Sequence, residues 1–220
     1  MKLFVPVRSL FLLLLTLGLL SGCQTAYYAS MEKLGYHKRD ILINRVEDTQ
    51  KAQQETQQQF KDALEQFKAV VQFDGGNLQE TYDKLNTEYE DSKTTADNLR
   101  GHIEKVEGVA EALFEEWEEE LALYSNATLK RDSARKLQET KRQYKKLIAS
   151  MWRAEKTIAP VLTTLHDQVL YLKHNLNARA IAALRGELKT VQKDVDRLLS
   201  SMQQAIRESQ VFIQQMRRSQ

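Results

Sequence analysis

The sequence has 220 residues, with 32 basic and 30 acidic side chains, one cysteine, eight glycines and two prolines. So few helix breakers, in a chain rich in Gln, Glu, Lys, Leu and Ala, favour long helices. A single cysteine excludes an intramolecular disulfide framework, and the nearly balanced charge gives no indication of nucleic acid binding.

The first 22 residues have the parts of a secretory signal peptide. Lys2 and Arg8 form a basic start, residues 10–20 are almost entirely apolar, and small residues follow. An uncleaved membrane-spanning helix is the alternative, but it needs about 20 apolar residues and this run is shorter. We therefore predict that residues 1–22 are a cleaved signal peptide.

The only cysteine ends a short motif with the sequence Leu20-Ser21-Gly22-Cys23. The motif resembles the lipobox of bacterial lipoproteins, and the resemblance implies that Cys23 is alkylated with diacylglycerol and that its new amino group is acylated. Residues 23–29 are then the lipidated N-terminus and tether. Lipoproteins kept on the inner membrane resemble one another in having Asp after the cysteine. Gln24 therefore favours the periplasmic face of the outer membrane of a Gram-negative cell.

Four long helices are predicted near residues 30–72, 78–124, 129–174 and 178–217. The first turn signal is the Gly75-Gly76 pair, and Pro160 should kink the third helix. Asn126 or Thr128, and then Asn177, are candidate caps. Apolar side chains follow alternating spacings of three and four after the first turn, at Leu78, Tyr82, Leu85, Tyr89, Ser92, Ala96, Leu99, Ile103, Val106, Ala110, Leu113 and Trp117.

These elements predict an all-α fold over residues 30–220, an elongated antiparallel helical bundle or coiled coil of about four long helices. The runner-up architecture is a pair of longer coiled-coil hairpins completed by dimerisation. The sequence contains no strand pattern.

Charge is segregated along the chain. Residues 74–124 carry 15 acids and 4 bases, and residues 125–220 carry 8 acids and 19 bases. A hairpin near residues 125–126 would explain this, because opposite charges would then face each other. We expect Glu120 near Arg131, Glu116 near Arg135, and Glu115 near Lys136. Glu104 and Glu107 should lie near Lys145 and Lys146. One continuous helix over residues 78–174 is the rival.

No pattern indicates catalysis. No pair of histidines among His37, His102, His166 and His174 is three or four residues apart, so no helical face presents two of them to a metal ion. We predict no catalytic residue, no metal site and no cofactor. The glutamine-rich stretch 50–59 is interpreted as a solvated helix face.

The segment after the tether, "MEKLGYHKRDILINRVEDTQKAQ" at residues 31–53, resembles the opening of a proteobacterial lipoprotein family catalogued as domain of unknown function 2959. The resemblance covers nearly all of the predicted mature chain. It implies a helical periplasmic lipoprotein and supplies no activity, substrate or catalytic residue.

The leading functional hypothesis is a non-enzymatic envelope lipoprotein that acts as a periplasmic scaffold or adaptor. Its membrane contact is the lipid on Cys23, and its partner is an envelope protein or the cell wall, with homo-oligomerisation left open. The alternative is a helical-bundle carrier of a lipid or another apolar ligand.

Overall fold

The computed structural model describes residues 37–218. The predicted signal peptide, the tether and the lipobox with Cys23 lie outside the described residues. Within residues 37–218 all regular structure is helical, which confirms the all-α prediction. The described residues form five helices: α1 Lys38–Val71, α2 Leu78–Leu123, α3 Ala127–Glu155, α4 Ile158–His174 and α5 Ala178–Arg218.

The helices form an antiparallel bundle in which α3 and α4 together make the third rod. Helix α1 packs against α2 and α5, α2 also packs against α3 and α4, and α5 closes the bundle against α3 and α4. This order of neighbours places α1 diagonally opposite the third rod. At 1.5 Å per residue, the 46 residues of α2 span about 70 Å. The bundle is therefore elongated, as predicted.

The turns follow the predicted signals. Asn77, Asn126 and Asn177 each accept hydrogen bonds from backbone N–H groups in the first turn of α2, α3 and α5. These side chains satisfy donors that have no partner inside the helix. Gly76 has a φ of +107°, which side chains other than glycine rarely adopt, so the link before α2 requires it.

The heptad seam predicted on α2 lies in the core. Leu85, Leu99, Ile103, Val106 and Ala110 are fully buried. The third rod and α5 contribute matching rows, and the buried apolar residues of all five helices form one contiguous cluster. The spacing of three and four therefore identified the side of each helix that faces its neighbours.

The third rod is interrupted where the proline predicted a kink. Helix α3 ends at Glu155 and α4 begins at Ile158. A proline at position 160 has no N–H to donate to the carbonyl of Lys156, and its ring clashes with that carbonyl. The backbone N–H and the hydroxyl of Thr157 both donate to the carbonyl of Ala154, which closes the last turn of α3.

The interpretation of residues 50–59 as a solvated face was only partly right. Gln54, Glu55 and Gln58 are exposed, but Gln53 and Thr56 are fully buried. The Thr56 hydroxyl donates to the carbonyl of Ala52, whereas neither polar atom of the Gln53 side chain has a hydrogen-bond partner among residues 37–218. Gln53 belongs to the row of buried positions on α1. The helical spacing of that row continues unchanged through the glutamine-rich stretch, so some polar side chains are buried.

Candidate interaction surface

Helices α2 and α3 form the predicted hairpin, which rules out one continuous helix over residues 78–174. The indole Nε1 of Trp117 donates to Ser133 Oγ at 2.8 Å, and Trp152 Nε1 donates to Glu107 Oε1 at 3.0 Å. Lys141 Nζ of α3 also lies 2.6 Å from Glu118 Oε1 of α2. The two helices thus run antiparallel side by side from the turn to the break before α4.

Near that break, α2 is joined to the end of α3 by an ion pair. Arg100 donates from Nε to Oε1 of Glu155 at 2.9 Å and makes a second hydrogen bond to the same oxygen from its Nη2. Glu155 is buried, whereas the guanidinium is half exposed. The hydrogen bonds and the negative charge of Glu155 raise the pKa of Arg100.

The individual ion pairs of the hairpin differ from those predicted. Glu116 bonds to Lys38 of α1 at 2.8 Å, since its position on α2 faces α1. Arg135 and Lys136 pair with Asp132 in the preceding turn of their own helix. Bases three or four residues from an acid on one helix reach it more readily than they reach a neighbouring helix.

The outer side of α2 carries a row of six exposed acids, each seven residues from the next. We call this row the acid stripe: Asp83, Glu90, Asp97, Glu104, Glu111 and Glu118. Seven residues make almost two helical turns, so these carboxylates share one face. Glu118 reaches Lys141 of α3, which places the stripe beside that helix. Among the described residues, the only ion pair of the stripe is the one made by Glu118.

A complementary set of bases lies on the outer side of α3. We call it the basic patch: Arg142, Lys145, Lys146, Arg153 and Lys156, the last directly after the helix. All five are exposed, and none is within ion-pair distance of an acid among residues 37–218. On its far side the patch borders an open groove against α5, lined there by Gln204 and Glu208.

The hairpin therefore leaves most of its segregated charge unneutralised. Glu107 and Glu111 lie close enough to the half-buried Tyr144 of α3 to affect it. Burial, and then these two negative charges, hold the pKa of Tyr144 well above its ordinary value. The acids of α2 and the bases of α3 thus lie on adjacent helices, yet few of them form ion pairs with each other among the described residues.

The tip of the hairpin is apolar and exposed. Leu123 is 82% exposed at the end of α2, and Tyr124 and Leu129 are also exposed. The tip lies at the end of the bundle where α1 begins, because Lys38 contacts Glu116 only a few residues before the turn.

The histidines are dispersed, as the sequence indicated. His37 and His174 are exposed, and His166 stacks on Tyr89 with ring centroids 5.3 Å apart. Within residues 37–218, no three His, Cys, Asp or Glu side chains are grouped to hold a metal ion. In the same part of the chain, no helix is both long enough and apolar enough to cross a bilayer.

Comparison with known proteins gives one finding. Residues 27–216 match the family described as "Protein of unknown function (DUF2959)". This confirms the resemblance drawn from residues 31–53. Neither the curated proteins nor the solved structures gave a match.

Proposed function

The chain belongs to the DUF2959 family, and we propose that it is a non-enzymatic lipoprotein of the bacterial envelope that serves as a scaffold or adaptor. Cys23 carries the lipid anchor, and the helical bundle stands in the periplasm at the outer membrane. The partner is an envelope protein with an acidic segment.

The anchor rests on the sequence around Cys23. The signal peptide features, Ser21 and Gly22, and the single thiol coincide at one point of the chain. Each buried methylene contributes about 0.8 kcal/mol to membrane binding, so two or three acyl chains hold a protein stably. The 14 residues from Cys23 to His37 reach no more than about 50 Å. The bundle end with exposed Leu123 and Leu129 is therefore within reach of the membrane.

The observation that carries the adaptor role is the basic patch. Five exposed bases on one side of α3 have no acidic partner within the described chain. An excess of one charge along a rigid rod attracts an oppositely charged partner and orients it, even where each contact is weak. The groove between α3 and α5 has a volume of about 480 Å³ and is open along its side. An open groove of this size accepts side chains of a partner segment that lies along it.

The packing of the bundle favours the adaptor over the carrier. A lipid carrier must part its helices to make room for an acyl chain. Here Phe60, Phe67 and Phe212 fill the interior as part of one contiguous apolar cluster. Opening this cluster would expose large apolar surfaces to water, at a free-energy cost of about 25 cal/mol for each Å².

Site-specific photocrosslinking in intact cells tests the adaptor role. A photoreactive amino acid replaces Arg153 in the basic patch, and a control chain carries it at the exposed Lys51 on α1. We expect an adduct with a defined envelope protein at position 153 and not at position 51. An adduct with lipid alone would favour the carrier, and an adduct with a second copy alone would not support an adaptor.

A further inference from the structure

The α2–α3 side of the bundle is complementary to itself. We infer that two copies of this chain pair side by side through it, with the acid stripe of one copy against the basic patch of the other. This inference concerns the assembly of the bundle and does not depend on the anchor or on the adaptor role proposed above.

The arrangement of the charges defines the symmetry. Acids lie on α2 and bases lie on α3, and these helices are adjacent on one side of the bundle. A two-fold axis parallel to the bundle places α2 of each copy opposite α3 of the other, so both contacts are attractive. A two-fold axis perpendicular to the bundle and lying in the interface places acids against acids. The parallel pair also brings both copies of His37 to the same end of the assembly.

The bases at the α2 edge of the patch are in position for this contact. Lys145 lies four residues after Lys141, which bonds to α2, and Lys156 lies four residues after Trp152, which also bonds to α2. Residues four apart lie on the same helical face. Lys145 and Lys156 are therefore on the outer side of α3 at the edge next to α2, and they also border the open grooves against α5.

The levels of the charges along the bundle also match. The bond between Glu107 and Trp152 and the ion pair between Arg100 and Glu155 fix which residues of the two helices are level. By this register, Asp97 lies about one turn from the level of Lys156, and Glu111 lies within about one turn of Lys145. Two copies in parallel and in register thus oppose acids and bases at both levels.

A glycine on the acid stripe provides an independent observation. Gly101 lies four residues after Asp97 and three before Glu104, in the interior of α2. Glycine there costs about 1 kcal/mol relative to alanine. Beyond the backbone of its own helix, a Cβ at Gly101 would meet no atom of the described residues within 4 Å, so packing among these residues does not require the glycine. Because Gly101 has no side chain, a helix of a second copy could approach α2 closely at this position.

Charge reversal and mixing test the pairing. One variant carries Lys145→Glu and Lys156→Glu, and the other carries Glu104→Lys and Glu111→Lys. All four positions are exposed, so both variants should retain the circular dichroism of the parent. The full chain is purified in an excess of a detergent whose density matches that of the solvent. In analytical ultracentrifugation we expect it to sediment as a dimer at about 20 mM salt. At about 500 mM salt the dissociation constant of the dimer should be at least about tenfold higher, since salt screens exposed charges.

The mixture gives the decisive comparison. Each variant alone should be monomeric, because both of its contacts become repulsive. Mixed in equal amounts they should form a heterodimer, because the reversed bases then face the reversed acids. A monomeric parent chain at low salt, or variants that do not associate when mixed, would overturn the inference. Both proposals use the basic patch, and the crosslink at position 153 distinguishes them. An envelope protein captured there supports the adaptor, whereas a second copy alone supports the pairing and not the adaptor.

Single cysteines report the orientation. Two differently tagged copies, one with Glu111→Cys and one with Lys145→Cys, are produced together and oxidised. We expect a disulfide-linked heterodimer in the parallel pair. A copy with Lys51→Cys in place of Glu111→Cys is the matched control and should not link. Efficient linking of Glu111→Cys to itself instead would indicate antiparallel copies and contradict the proposed symmetry.

A bulky residue tests the role of Gly101. Gly101→Leu should keep the helical spectrum, since the space around the position is open, and should weaken the dimer at least about tenfold. Leucine at the exposed Asn98, on the same helix, is the control and should leave the dimer unchanged. A Gly101→Leu chain that dimerises as strongly as the parent would contradict a close approach at this point.

Discussion

Arg100 on α2 donates two hydrogen bonds to the carboxylate of Glu155, the last residue of α3. Glu155 is only 8% exposed, and the pair joins α2 to the third rod just before the break between α3 and α4. Replacing Arg100 with methionine keeps much of the apolar stem but leaves a buried carboxylate without its cation. Such a group costs about 1–3 kcal/mol.

We therefore expect Arg100→Met to lower the free energy of unfolding by about 1–3 kcal/mol in urea titrations. Arg135→Met is the control, because Arg135 pairs with Asp132 on the surface of its own helix and such pairs contribute about 0–1 kcal/mol. Equal stabilities of the two variants would show that the Glu155 carboxylate does not depend on Arg100.

The buried amide of Gln53 predicts a stabilising substitution. Both of its polar atoms lack hydrogen-bond partners in the described part of the chain, and an unsatisfied buried polar group costs about 1–3 kcal/mol. Gln53→Met has a similar volume and no such requirement, so we expect the midpoint of urea unfolding to rise. Gln54→Met, at an exposed neighbouring position, should have little effect. A Gln53→Met chain less stable than the parent would mean that the amide has a partner in solution.

The raised pKa of Tyr144 predicts a loss of stability in alkali. In the unfolded chain tyrosine ionises near pH 10, whereas burial and the adjacent Glu107 and Glu111 keep the folded phenol protonated. The unfolded state therefore releases its proton first, and stability falls as the pH rises above about 10. The contribution of Tyr144 is fully present below that pH.

The measurement compares the parent with Tyr144→Phe in urea at pH 8 and pH 11. Phenylalanine cannot ionise, so the variant should lose less stability between the two values, by up to about 1 kcal/mol. Tyr124→Phe is the matched control, because Tyr124 is exposed at the hairpin tip. Identical losses in the parent and in Tyr144→Phe would show that Tyr144 ionises normally in the folded bundle.

The heptad seam predicts a position that cannot accept charge. Ile103 is fully buried in the middle of α2. Ile103→Asp would bury a carboxylate without a partner and should destabilise the bundle by several kcal/mol. The same charge added at the exposed Asn98 of this helix should be nearly silent. A thermal midpoint unchanged in Ile103→Asp would contradict the packing of α2.

The sequence predicted most of the fold because each signal was local. The spacing of Leu99, Ile103 and Val106 identifies a buried helical face. Asn126 caps the start of α3, and Pro160 cannot continue an uninterrupted helix. Each of these depends on only a few neighbouring residues, so no knowledge of tertiary packing was needed.

The side-chain partners could not be predicted in the same way. Glu116 pairs with Lys38 of α1, and Arg135 pairs with Asp132 on its own helix. Long charged side chains can reach several partners, and the exposed ion pairs that result differ little in free energy. The burial of Gln53 was not predicted, because a glutamine side chain is polar and gives no indication that its position on the helix is buried. The seven-residue spacing of the acid stripe was readable in the sequence, but its significance depends on α3 lying beside it.

The central proposal, an anchored envelope lipoprotein, is tested most directly by labelling Gram-negative cells that produce this chain with radioactive palmitate. The parent and Gln24→Asp, which keeps the cysteine, should both carry label, whereas Cys23→Ser should carry none, because serine is a far poorer nucleophile than a thiol. The Cys23→Ser chain should also migrate at the mass of the uncleaved precursor. Label in Cys23→Ser, or its absence from the parent, would contradict the proposal.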